Sequence, residues 1–278
     1  MNRIQLAFSS SFSVHSSSFR KREVTKPFNS PEAEAEEASP RGRARRRRES
    51  RRILRAEVVY SAGLATFAVL AVLAHAYSYF AWDLSVARFV QSFEAGWWAS
   101  FMEWVSFLGN RWHPHVLTAV VALVFFLWRR RSECFGLILS AGGGAIINRI
   151  LKMLIARPRP TADLVGFAYR GDELSFPSGH VMFYVCFFGF LFFTAHALLP
   201  RGSSVRRAAL VLSALPVLLI GVSRVYLRAH WPSDTLGAYV LGGLWLSFAL
   251  EMYRRWKRRA SFHAEAASVE EEVMRTER

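Results

Sequence analysis

Residues 181–199 read VMFYVCFFGFLFFTAHALL, with no Asp, Glu, Lys or Arg among them. A run of this length and character matches the roughly 20 apolar residues a helix needs to cross the hydrocarbon core of a bilayer. Working outward, similar blocks occupy Val58–Phe80, His115–Trp128, Phe135–Ile155, Ala208–Val225 and Thr235–Tyr253. The block at His115 is short and extends at most back through Trp112. With Val181–Leu199 included, the pattern predicts an all-α, polytopic membrane bundle of six transmembrane helices. Between the first two blocks, Leu84–Asn110 mixes Phe89, Phe93, Trp97, Trp98 and Trp104 with Arg88, Glu94 and Glu103. That mixture predicts an interfacial amphipathic helix with its tryptophans at headgroup depth.

Composition agrees with a membrane protein. Hydrophobic residues make up 52% of the 278, and the formal net charge is +15. Much of that charge lies in Arg41–Arg55 and at the ends of apolar blocks, which suits anionic headgroups and argues against a nucleic-acid partner. Cys134 and Cys186 sit in or beside separate apolar blocks, far from any CxxC or Cys/His spacing, so neither a zinc site nor a disulfide is expected. Residues 1–56 combine a Ser-rich start, an acidic patch at Glu32–Glu37 and an Arg run, without apolar periodicity. They read as a disordered basic cytoplasmic tail, although the acid-poor first thirty also resemble a transit peptide. The domain division is therefore 1–56 as tail, 57–256 as the six-helix membrane domain, and 257–278 as a polar cytoplasmic tail.

Basic residues orient the bundle. Clusters precede the first span (Arg41–Arg55) and follow the second (Arg129–Arg131), the fourth (Arg201, Arg206, Arg207) and the sixth (Arg254–Arg259). Six crossings place all four clusters on one side, which the positive-inside rule makes cytoplasmic. Both termini are then cytoplasmic, most simply at the plasma membrane. Lys152, Arg157, Arg159, Arg224 and Arg228 fall on the opposite side, against the bias. Cations placed there call for an anionic ligand.

Three segments converge at that surface. They are Lys152–Pro160 (KMLIARPRP), Pro177–His180 (PSGH) and Ser223–Asp234 (SRVYLRAHWPSD). Arg159 and Arg224 can fork onto two phosphate oxygens, and Lys152 supplies a compact charge. Ser178 and Gly179 precede an apolar run, as an N-cap and a position of close approach, so free N–H groups would point at the anion. His230, with Asp234 four residues on, forms a nucleophile and its orienting acceptor, and His180 is left as general acid. No carboxylate cluster is available for metal ions, so neither a metal nor another cofactor is expected. Arg157 and Arg228 read as cations snorkelling to headgroups. His75, His113, His115 and His196 read as structural.

The three segments resemble the signature of the type 2 phosphatidic acid phosphatase superfamily: Lys-x6-Arg-Pro, Pro-Ser-Gly-His and Ser-Arg-x5-His-x3-Asp. The resemblance spans about Val58 to Tyr253. It implies a six-helix fold and a metal-independent phosphatase with a phosphohistidine at His230 oriented by Asp234. It further implies His180 as acid and then base, with Lys152, Arg159, Ser178, Gly179 and Arg224 holding phosphate. The expected partners are the bilayer and a lipid phosphate: phosphatidic acid, phosphatidylglycerol phosphate or polyprenyl diphosphate. A phosphotransferase using the same site, and a non-catalytic lipid-binding protein, are the alternatives. Headgroup choice is assigned to Leu84–Asn110 and Thr161–Phe176, with Asp172 and Glu173 beside the pocket.

Overall fold

The computed structural model describes residues 40–165 and 174–276. Among them the secondary structure is helical, apart from one isolated bridge between Pro158 and Leu174. In chain order the elements are α1 (Pro40–Ala76), α2 (Ala81–Gln91), α3 (Gly96–Phe107), α4 (His113–Leu127), α5 (Arg131–Leu137), a π-helical turn (Ile138–Gly142), α6 (Gly143–Ile155), α7 (Ala162–Val165), α8 (Gly179–Leu198), α9 (Ser204–Tyr226) and α10 (Pro232–Thr276). The chain divides into two compact units, Met1–Ser61 and Ala62–Arg278. The Ser-rich start, the acidic patch, Asp172 and Glu173 lie outside the described residues.

Three expectations change. First, α1 begins at Pro40, so residues 40–56, expected to lack structure, are helical. The stretch is rich in Arg, a good helix former, and it continues a membrane-length helix. Second, five helical stretches are long and apolar enough to cross a membrane: Leu54–Ala76, Arg131–Ile155, Gly179–Leu198, Ser204–Tyr226 and Pro232–Ala260. The sixth expected span is α4, whose 15 residues extend about 22 Å against a hydrocarbon core of about 30 Å. Pro114 in its first turn marks the start, and Arg129 turns the chain beyond its end at φ 60°. Third, the segment expected as one interfacial helix is two helices, α2 and α3. Gly96, a poor helix former, opens the second after a short break. Phe89, Trp97 and Trp104 are exposed on these helices.

The second unit buries α8 most deeply. Val181, Phe183, Tyr184, Val185, Phe187 and Phe190 form one core with Ile220 of α9 and Ala238 and Tyr253 of α10. Outward positions such as Leu154, Leu212 and Leu218 are 68%, 69% and 71% exposed, as lipid-facing leucines would be. Glycines let the inner helices approach. A Cβ on Gly143 would lie 2.5 Å from the Trp245 ring, and one on Gly144 would lie 2.9 Å from Cys186 Sγ. The π-helical turn loosens the backbone hydrogen-bond ladder beside them. Trp245 Nε1 donates to the carbonyls of Leu139 (3.1 Å) and Ser140 (3.0 Å), satisfying groups in that turn.

Candidate active site

The site is assembled from helix ends. At the close of α6, Ala156 adopts the left-handed conformation (φ 53°), and His75 Nδ1 lies 3.0 Å from the Ile155 carbonyl. That stop leaves Lys152 in the last turn, with its Nζ donating to the Leu174 carbonyl at 2.8 Å. Arg159, just beyond, donates to the Ala229 carbonyl at 2.6 Å. Helix α8 starts at Gly179 with Ser178 as its extended N-cap. The Ser178 hydroxyl makes no cap bond; it is buried and has no hydrogen-bond partner among the described residues. In the last turn of α9, Arg224 donates to Ser106 Oγ (3.1 Å). The chain continues through Ser223 Oγ (2.7 Å) to the Met102 carbonyl (2.6 Å), tying α9 to α3.

These ends enclose a cavity of about 1370 Å³ lined by Lys152, Arg159, Gly179, His180, Arg224 and His230, among others. The three sequence-distant segments therefore meet. Asp234, in the first turn of α10, lies behind His230, with its Oδ2 3.5 Å from His230 Nδ1. That contact leaves Nε2 as the ring nitrogen not facing the carboxylate. Asp234 is itself held from several sides. The Trp231 N–H (2.8 Å) and the Ser175 hydroxyl donate to Oδ2, and Arg157 Nη1 donates to Oδ1 at 2.6 Å. Ser175 Oγ also lies 3.4 Å from His230 Nδ1.

Burial, reinforced by the positive charges of Arg159, Lys152 and Arg224, holds the His230 imidazole well below the usual histidine value. Its neutral form, with a lone pair available on one nitrogen, therefore persists into mildly acidic solution. His180 is placed from another side. Its Nε2 lies 2.8 Å from Asn110 Oδ1, and Gly109 packs so closely that a Cβ there would sit 2.3 Å from the ring.

Reading Arg157 as a headgroup-snorkelling cation was wrong. It is 1% exposed and bridges two buried carboxylates, Asp234 at 2.6 Å and Asp83 of α2 at 2.9 Å. It also donates to Ser233 Oγ (2.7 Å) and the Ser78 carbonyl (3.2 Å) and lies over the Phe80 ring. Ser233 closes the network through its N–H (2.8 Å) and hydroxyl (2.7 Å) to Asp83. The repeated Arg-Pro pair and a lone acid in an aromatic stretch were the only traces of this in the sequence. Asn110 and Ser175 were not singled out either. Arg228 is half-buried with φ 58° and does not line the cavity.

Comparison with known proteins points the same way as the geometry. Residues 133–258 match the PAP2 superfamily. The chain is 26% identical to phosphatidylglycerophosphatase B of Bacillus subtilis over 176 residues, covering 63% of this chain and 85% of that protein. It is 27% identical to undecaprenyl-diphosphatase of Sulfolobus acidocaldarius over 146 residues, 51% of this chain and 65% of that protein. Its fold resembles the crystal structure of a transmembrane PAP2-type phosphatidylglycerolphosphate phosphatase from Bacillus subtilis. There the TM-score is 0.61 at 25% identity, covering 70% of this chain and 96% of that one. The stretch that matches the PAP2 superfamily includes Lys152, Arg159, His180, Arg224, His230 and Asp234.

Proposed function

We propose that the protein is a membrane lipid phosphatase that transfers the terminal phosphoryl group of its substrate to His230 and then to water. The carrying observation is the buried His230–Asp234 pair, open on its other side to a cavity lined by Lys152, Arg159 and Arg224. The three cations take the charge on the phosphoryl oxygens, joined by the unspent Ser178 hydroxyl and the N–H groups at the start of α8. His230 Nε2 attacks phosphorus, and the bond to the leaving oxygen breaks. His180 gives that oxygen its proton. A water, deprotonated by His180, then attacks the phosphohistidine; the N–P bond breaks, and free phosphate and His230 are restored.

Substrates of this reading are lipids whose tail stays in the bilayer: phosphatidic acid, phosphatidylglycerol phosphate or polyprenyl diphosphate. The names of the two similar proteins favour the last two. The short α4 runs antiparallel to α5–α6 along the cavity, from the level of Lys152 back toward Cys134. That pairing supports α4 as a sixth crossing, which puts the site on the non-cytoplasmic face and both termini inside. The same reading places α2 and α3 at headgroup depth.

The test is phosphate release from each lipid by purified protein in the presence of a chelator, with trapping of the acid-labile, base-stable phosphoprotein. Release should persist without added metal and vanish with the trapped label in His230→Ala. Undiminished turnover by His230→Ala would sink the mechanism.

A further inference from the structure

The cavity does not end at the catalytic residues. Ala145, Ala141 and Ile138 line its deeper part, which reaches Cys134 near the start of α5. This apolar extension follows α6 toward the opposite end of the span and suits a lipid tail. One cation interrupts it. Arg149 lies three residues before Lys152, so it shares the same helix face about 4.5 Å deeper. It lines the cavity, is exposed there, and has no hydrogen bond or ion pair with another described residue. An ionisable side chain inside a membrane-spanning helix is costly, and its usual role is at a ligand or ion path.

The charge balance of the cavity leads to the same place. Arg111, Arg149, Lys152, Arg159 and Arg224 line it, and no Asp or Glu appears among its described lining residues. A phosphomonoester brings roughly two negative charges. That leaves the cavity short of anion, and the deepest guanidinium lies between the phosphoryl site and the tail extension. On the reading given under Proposed function, the geometry points to Arg149 as the binding residue for a second phosphate, on the tail side of the one removed. The substrate class is then a lipid with two phosphates in series. They are joined either as an anhydride, as in a polyprenyl diphosphate, or through a glycerol, as in phosphatidylglycerol phosphate. Phosphatidic acid has nothing to place there.

The experiment compares wild type, Arg149→Ala and Arg149→Lys on phosphatidic acid, a polyprenyl diphosphate and phosphatidylglycerol phosphate. Arg149→Ala should raise KM about tenfold for one or both two-phosphate lipids, as expected for losing a charge-assisted contact. Phosphatidic acid turnover should change less than about twofold, which also reports intact folding. The lipid arm that responds identifies the linkage. Arg149→Lys should recover part of the loss. Equal effects on all three lipids, or no effect on any, would overturn the assignment. Heat stabilisation by a short-chain prenyl diphosphate or short-chain phosphatidylglycerol phosphate over short-chain phosphatidic acid is read in parallel and needs no turnover. A wild type that shows this preference and releases no phosphate refutes the hydrolase reading alone. A wild type without the preference refutes the second-phosphate site.

Discussion

Replacing Arg157 by alanine removes a guanidinium that holds Asp83 at 2.9 Å and Asp234 at 2.6 Å, with every side chain in the trio fully buried. Two carboxylates are then left without their cation in a site closed to water. Breaking one such pair from one side costs about 3–5 kcal/mol. Ser233 and Ser175 still donate to the two acids, so the loss should fall within that range and not at twice its value. The effect on turnover has a different origin. Arg157 fixes Oδ1 of the carboxylate whose Oδ2 faces His230, and a displacement of about 1 Å at a reacting group can cost on the order of 100-fold. The assay pairs thermal unfolding in detergent with kcat and KM for lipid phosphate release. We expect a large fall in melting temperature, and kcat lowered on the order of 10- to 100-fold with KM little changed. Arg157→Lys keeps the charge but not the fork, and should fall between. Asp83→Asn supplies the cycle: combined with Arg157→Ala it should cost clearly less than the two changes summed. A variant Arg157→Ala that melts and turns over like wild type, or strict additivity with Asp83→Asn, would refute the bridging role.

Three further outcomes follow from the site. The lowered pKa of His230 puts its loss of activity on the acid side: kcat/KM should fall with decreasing pH only below the ordinary histidine range. In Arg224→Gln, with one repelling cation gone, that limb should move to higher pH, as a pH–rate profile will show. Gly109→Ala forces a methyl group to within 2.3 Å of the His180 ring, so His180 should lose its Asn110 contact. Turnover should then drop at least about 10-fold while the melting temperature changes modestly. Ser175→Ala removes a donor to Asp234 and should cost about 1–3 kcal/mol, measured by thermal or denaturant unfolding.

What was legible in the sequence was chemistry concentrated in short segments. Lys152, Arg159, His180, Arg224, His230 and Asp234 stand in three dense motifs at helix ends, and their types suit the phosphoryl site proposed above. The long-range partners were not legible. Asp83 reaches Arg157 across 74 residues of sequence, and Asn110 reaches His180 across 70. Nothing local marks either pairing, because each depends on how α2 and the α3–α4 turn pack. The same limit explains the misreading of Arg157: an arginine beside an apolar block usually snorkels, and only a buried acid on another helix reverses that. The division of Leu84–Asn110 into two helices was hidden for a different reason. Hydrophobic periodicity runs through the break, and Gly96 alone is a weak signal. For α4, both the apolar character and the short length were visible, because Arg129–Arg131 closes the block at Trp128.

Of the proposed site residues, Lys152 and Arg224 sit on the final turns of α6 and α9, and His180 and Asp234 at the beginnings of α8 and α10. The shafts between those ends present leucines such as Leu154, Leu212 and Leu218 outward. Lipid-facing side chains can therefore be exchanged among apolar types to match a thicker, thinner or more fluid bilayer, while the reacting groups keep their places. The membrane a protein of this kind inhabits and the reaction it performs are written on different parts of the same helices.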